Sequence, residues 1–140
     1  MKQTLLPTIP ILFLSLNTLS ELTAAIYYAD SASGNDAHDG LSPSSAWQTM
    51  HRVNQVALGP GDSILLKRGS LFQGEGFKAN GSGSVASPIM LADYGDPQLP
   101  MPVIDGVGVH EPAVLLQNVQ NWIVRNLELT QHGQDRKSVV

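Results

Sequence analysis

Three oxygen-bearing acids and an asparagine crowd into one short stretch of this chain: Asp30, Asn35, Asp36 and Asp39, with Gly34 and Gly40 between and after them. Carboxylate and amide oxygens spaced in this way are the donor set that a Ca²⁺ ion takes. The stretch lacks the alternating acidic positions and the closing Glu of an EF-hand loop, and the same residues serve equally to hydrogen-bond their own turns. Lys67 and Arg68 follow an apolar run and supply a second kind of chemistry. A cation of this sort can act as the base that removes the proton α to a sugar carboxylate, although two cations beside a glycine are also ordinary solvated surface. Glu75, Asp93, Asp96 and Asp105 offer carboxylates for acid and base roles in hydrolysis, but they fall in separate loops. His38, His51, His110 and His132 have no metal-ligand spacing and read as structural or surface residues. Phosphate-binding glycine loops, nucleophile elbows and zinc motifs are missing. No residue is therefore assigned a catalytic or metal-binding role from the sequence, and no cofactor is evident.

These residues must be held by strands. Apolar pairs recur at a period of 25: Ile64 and Leu66, Ile89 and Leu91, Val114 and Leu116. A second row, Phe77 and Ala79, Pro102 and Ile104, Leu127 and Leu129, recurs at the same spacing. A fixed period of this size points to stacked repeats, and the units here are strands. The expected fold is all-β, a parallel β-helix of about 25 residues per rung; three unrelated strands of an ordinary sheet are the alternative. In the last repeat, Ala113 to Gly133, a continuous strand would place Arg125 on the face of Leu127 and Leu129. A corner at Arg125-Asn126 removes the conflict. The inward set is then Val114, Leu116, Val119, Trp122, Val124, Leu127 and Leu129, with Asn118, Asn121 and Asn126 at or beside corners. Leu65, Met90 and Leu115 alternate with the inward pairs, so their face should be covered by other chain.

Ahead of the first repeat, Ile26 to Asp30 reads as a strand. Ser44 or Ser45 can cap a helix from about Ala46 to Leu58, ended by Gly59-Pro60. Such a helix would cover the apolar end of the stack, with Trp47 as its core anchor rather than as a platform for a sugar ring.

The chain has 140 residues, a net charge of −4 and no cysteine. One domain at most is expected, without disulfides and without a nucleic-acid surface. Lys2, the apolar run from Ile11 to Leu16 and the small residues Thr23-Ala24-Ala25 read as a secretory signal over residues 1–25. The apolar run is too short to span a bilayer. Residues 26–134 then hold the cap and first rungs. Asp135 to Val140, DRKSVV, break the repeat and match one frame of a common sequencing adapter, so residues 135–140 are expected to be a non-native tail on a truncated gene product. The expected location is secreted or periplasmic.

Three segments carry a family likeness: SGNDAHDGLSPSSAWQTMHRVN, GPGDSILLKRG and NVQNWIVRNLEL. Together they resemble the N-terminal part of secreted right-handed parallel β-helix proteins of the pectate-lyase-like superfamily, over Ile26 to about Gly133. The resemblance implies a right-handed winding, a short N-terminal capping helix and a polysaccharide partner, acidic in character. It implies catalytic residues on later rungs, so that the fragment itself is inactive, and Ca²⁺ in the full-length protein. Its most concrete form is a lyase of uronate-containing polymers. The alternative is a non-catalytic carbohydrate-binding or surface adhesion module, and a stand-alone short domain is a third reading. No membrane span and no nucleic-acid partner are expected, and the sequence does not specify an oligomeric state.

Overall fold

A computed structural model describes residues 2–5, 7, 23–107, 112–132 and 136–140. The described chain is nearly all β, as its apolar alternation requires. Sheet A is parallel and holds β1 (Ile26–Ala29), β2 (Ser63–Lys67), β5 (Ile89–Tyr94) and β8 (Trp122–Val124), in that spatial order. Sheet B holds β3 (Leu71–Gln73), β6 (Val103–Val107) and β9 (Glu128–His132), parallel to one another, with β10 (Arg136–Val139) antiparallel on the outer edge of β9. Sheet C is the parallel pair β4 (Phe77–Lys78) and β7 (Val114–Leu115). The chain therefore visits A, B and C in turn through β2, β3 and β4, repeats the order through β5, β6 and β7, and enters A and B again through β8 and β9.

The inward faces are those the alternation marks. Ile64, Leu66, Ile89, Leu91, Ile104 and Leu127 have no exposed surface, and Phe72 and Phe77 almost none. Each such side chain contributes roughly 1.5–3 kcal/mol by leaving water. The period, however, is not constant. Ile64 pairs with Leu91 and Leu91 with Val124, steps of 27 and 33. In sheet B Phe72 pairs with Ile104 and Ile104 with Leu129, steps of 32 and 25. Val114 is not a third member of the Ile64 row, because it pairs with Phe77 in sheet C. The reason is loop length: the connection from sheet A to sheet B takes three residues at 68–70, eight at 95–102 and three at 125–127, so equal passes are not maintained. A two-residue error in step leaves a side chain on the same face, which is why the faces were legible while the partners were not. Leu116, expected inside, is 46% exposed.

The corner asparagines behave as their positions suggest. Asn118, Asn121 and Asn126 all take positive φ, 56°, 56° and 59°, the left-handed backbone that Asn tolerates better than most residues. On the other face of sheet A, Leu65 and Met90 are half-buried, and Tyr28 meets Tyr94 edge-on with ring centroids 5.1 Å apart. Leu115 lies in sheet C beside Lys78 instead.

The capping helix is far shorter than the sequence suggests. Only Met50–Val53 (α1) is helical, capped by Thr49, whose hydroxyl accepts from the Arg52 N–H. Ser42 caps a separate 3-10 turn at Pro43–Ser45. The stretch between them stays extended because Trp47 pairs with β1: its N–H donates to Tyr28 O, and its own carbonyl accepts from Asp30 N–H. The edge of β1 is thereby covered. Trp47 is 1% exposed and stacks on Tyr27 at 5.1 Å, which makes it a core anchor of the cap.

Candidate functional site

Sheet B presents the most promising surface. Phe72, Ile104 and Leu129 lie in register and point inward. Strand alternation then puts the flanking residues on the opposite face. Two rows result: Leu71, Val103 and Glu128, and beside it Gln73, Asp105 and Thr130. The Gln73 amide reaches Asp105 Oδ2 at 3.4 Å, so neighbours along the second row touch. Asp105 is only 4% exposed although it stands on the outward face. At the upper end of the rows the cap closes over β3 and leaves a hollow of about 280 Å³. Ser31, Gln48, Thr49, Leu71 and Gln73 line it, with Met50 and Phe72 buried beneath. Amides, hydroxyls and carboxylates in rows, with an exposed Leu71 among them, can exchange hydrogen bonds with a hydroxyl-rich ligand and cover its C–H faces.

This face was missed in the sequence. Asp105, expected in a loop, stands within β6 beside Thr130. The available signal was the triplet pattern of LFQ, VID and ELT, each with a central apolar residue, but the irregular steps between them hid their register.

The acidic stretch after β1 serves its own fold. Asp30 Oδ1 accepts from the N–H groups of Ala32 and Ser33, and Oδ2 from Lys67. Asn35 caps Ala37 N–H. Asp36 takes the N–H groups of Gln48 and Thr49 and the Thr49 hydroxyl. Asp39 takes Leu41 N–H and the Ser45 hydroxyl. Burial works against the ionisation of Asp30 and Asp36, yet these hydrogen bonds outweigh it and hold both carboxyls below the usual range. The Ser45 and Leu41 bonds do the same for Asp39. Among the described residues no three His, Cys, Asp or Glu are grouped to hold a metal ion.

The cations are equally committed. Lys67 is paired with Asp30, and Arg68 Nε donates to Asp93 Oδ2 at 2.6 Å while its terminal nitrogen binds the carbonyls of Pro97 and Leu99. Asp93 also accepts from Asn126, so one carboxylate ties three successive passes of the chain. Glu75 bonds Asn54 and His51 and lies 3.6 Å from Lys78. Asp96 closes its own turn at Gln98. The four candidate carboxylates thus occupy different places. Among the histidines, His51 also meets Gln55, His38 lends its carbonyl to the Trp47 indole, His132 ends β9, and His110 lies outside the described residues.

Sheet B thus presents stacked parallel strands with a row of amides, hydroxyls and carboxylates on its outward face. No family model matches the chain. It is 33% identical over 133 aligned residues to a lacto-N-biosidase of Bifidobacterium longum subsp. longum, a match covering 78% of this chain and 8% of that protein. Crystal structures of GH136 lacto-N-biosidase from Eubacterium ramulus, as native protein and selenomethionine derivative, are each 27% identical with a TM-score of 0.68, over 79% of this chain and 21% of theirs. The chain thus spans less than a tenth of the first relative and about a fifth of the second.

These relatives correct the family likeness drawn from the sequence. They are lacto-N-biosidases, named as glycoside hydrolases, and not members of a pectate-lyase-like group. The expectation of a uronate lyase, and the pectin lyase-like label that went with it, fall together. The physical reason is that strand periodicity and a capping block report how strands stack, which proteins of different chemistry share. Lys67 and Arg68, the proposed kind of base, are spent on Asp30 and Asp93. The non-catalytic adhesion module gains no support from the same relatives.

Proposed function

We propose that this chain forms the cap and first strands of a secreted glycoside hydrolase acting on an oligosaccharide, of the lacto-N-biosidase type. The observation that carries the proposal is the 33% identity to a lacto-N-biosidase, supported by the TM-score of 0.68 to crystal structures of another. In this reading residues 1–25 are a signal peptide, residues 135–140 are a non-native tail and the reacting groups lie on later strands. The repeated visits to sheets A, B and C support a winding in the sense of a right-handed parallel β-helix, the hand that parallel crossover connections favour. The partner is a carbohydrate, and the relatives give no reason for an acidic one.

The test is an assay of the longer reading frame, expressed with its downstream sequence, on a chromogenic lacto-N-bioside and on polygalacturonate. Release of the disaccharide with no unsaturated uronate product is the expected result. A folded longer protein that releases none from the bioside overturns the proposal.

A further inference from the structure

We propose that the hollow between the cap and β3 is a subsite for a neutral sugar ring, formed by Ser31, Gln48, Leu71 and Gln73. The inference rests on the glycoside hydrolase reading and goes beyond it by assigning this chain's own residues a place on the glycan.

The hollow has the composition that an uncharged sugar needs. Its volume is about 280 Å³, room for one pyranose ring. The Gln48 carboxamide has no hydrogen-bond partner among the described residues and is exposed at the rim. Gln73 gives Asp105 one N–H at 3.4 Å and keeps its carbonyl and second N–H. The Ser31 hydroxyl accepts from Leu71 N–H at 3.1 Å, which fixes its oxygen and leaves its own proton to donate. Two carboxamides and a hydroxyl provide the paired donors and acceptors that vicinal sugar hydroxyls engage. Leu71, 47% exposed, supplies an apolar surface for the C–H groups of the ring. The Thr49 hydroxyl takes no part, because it already donates to Asp36 and accepts from Arg52.

Charge selects against the alternative ligand. No Lys or Arg lines the hollow. Asp36 lies behind Thr49, and Asp105 lies beside Gln73. A uronate carboxylate would find no Lys or Arg side chain lining the hollow to pair with, whereas a neutral ring needs none. Part of the hollow is held in advance: the Ser31 backbone N–H donates to the Ser70 hydroxyl, the Ser31 hydroxyl accepts from Leu71 N–H, and Met50 and Phe72 are buried below. Held groups lose less freedom on binding.

The experiment uses the 140-residue chain, with saturation-transfer and titration NMR. The probes are lacto-N-biose, N-acetyllactosamine and digalacturonate. The expected result is binding of at least one neutral disaccharide in the millimolar range. The double variant Gln48→Ala/Gln73→Ala should weaken it at least tenfold, while Val85→Ser, at an exposed site outside the hollow, leaves it unchanged. Far-UV circular dichroism and urea midpoints confirm that each variant is folded. Unchanged affinity in the folded double variant overturns the proposal, as does absence of neutral-sugar binding by the folded chain or tighter binding of digalacturonate. Turnover by the longer protein is a separate readout. Hydrolysis unaffected by the double variant sinks this subsite and leaves the enzyme reading intact. Binding here without hydrolysis in the longer protein does the reverse.

Discussion

Lys67 Nζ donates to Asp30 Oδ2 at 2.7 Å, joining the end of β2 to the residue that follows β1. The pair continues the register of the strands, in which Ala29 lies beside Leu66. Asp30 is 3% exposed, and its other oxygen holds two backbone N–H groups. Removing the carboxylate therefore costs more than removing the cation. Asp30→Ala should destabilise by about 2–3 kcal/mol, since it orphans both N–H groups. Lys67→Met should cost about 1 kcal/mol, because the ammonium is partly in water. The folded chain holds the Asp30 carboxyl below its ordinary value, so its stabilisation is complete above that value and is lost as pH falls through it toward the depressed one. Urea midpoints measured from pH 7 down to pH 3 should show a shallower acid decline in Asp30→Asn than in the parent. Equal slopes would show that the pair does not contribute to acid sensitivity.

Tyr94 stands next to this pair and is strained in a different way. Its hydroxyl is buried with no hydrogen-bond partner among the described residues. Burial, with the Asp30 charge and Tyr28 adding to it, pushes its pKa up to about 12. A buried, unpaired hydroxyl carries a desolvation cost that phenylalanine does not. Tyr94→Phe is expected to raise stability by about 1 kcal/mol and to delete the latest-ionising tyrosine from the ultraviolet titration. A loss of stability would mean that the hydroxyl has a partner in solution.

Local alternation and turn chemistry were legible, and long-range pairing was not. Ile64, Leu66, Ile89 and Leu91 could be placed inside because side chains of a strand alternate whatever its neighbour. Asn118, Asn121 and Asn126 could be placed at corners because few other residues accept positive φ. The placement of Val114 beside Phe77 depends on how much chain each loop consumes, and nothing in the strand sequences encodes that. The same gap hid the Gln73–Asp105–Thr130 row. The helix expected from Ala46 failed for a related reason: Trp47 gains a strand partner and Asp36 takes the N–H groups of Gln48 and Thr49, which tertiary contacts decide and helical periodicity does not.

Asn118 isolates the backbone effect, since no side-chain hydrogen bond to the described residues accompanies its φ of 56°. Asn118→Gly should be neutral within a few tenths of a kcal/mol, whereas Asn118→Val should cost about 1–2 kcal/mol through left-handed strain. Thermal unfolding of the two variants side by side tests this. A valine variant as stable as the glycine one would place the corner elsewhere.

Gly40 and Trp47 should behave as a coupled pair. Gly40 has a φ of 74°, and a Cβ added there would lie 2.4 Å from Trp47 Cε2. The indole has little room to retreat, because it stacks on Tyr27, lies 4.3 Å from the Arg52 guanidinium and donates to His38 O at 2.9 Å. Gly40→Ala is expected to cost about 2–5 kcal/mol, the sum of left-handed strain and overpacking. Trp47→Ala is expected to cost about 3–5 kcal/mol as a buried aromatic lost. The combination should cost clearly less than the sum, because a side chain that is gone cannot clash. What would remain of the Gly40→Ala cost in the Trp47→Ala background is the backbone strain alone, about 1–2 kcal/mol. Urea midpoints of the four proteins give the coupling directly. Strict additivity would mean that the alanine at position 40 disturbs the turn itself rather than the indole packed against it.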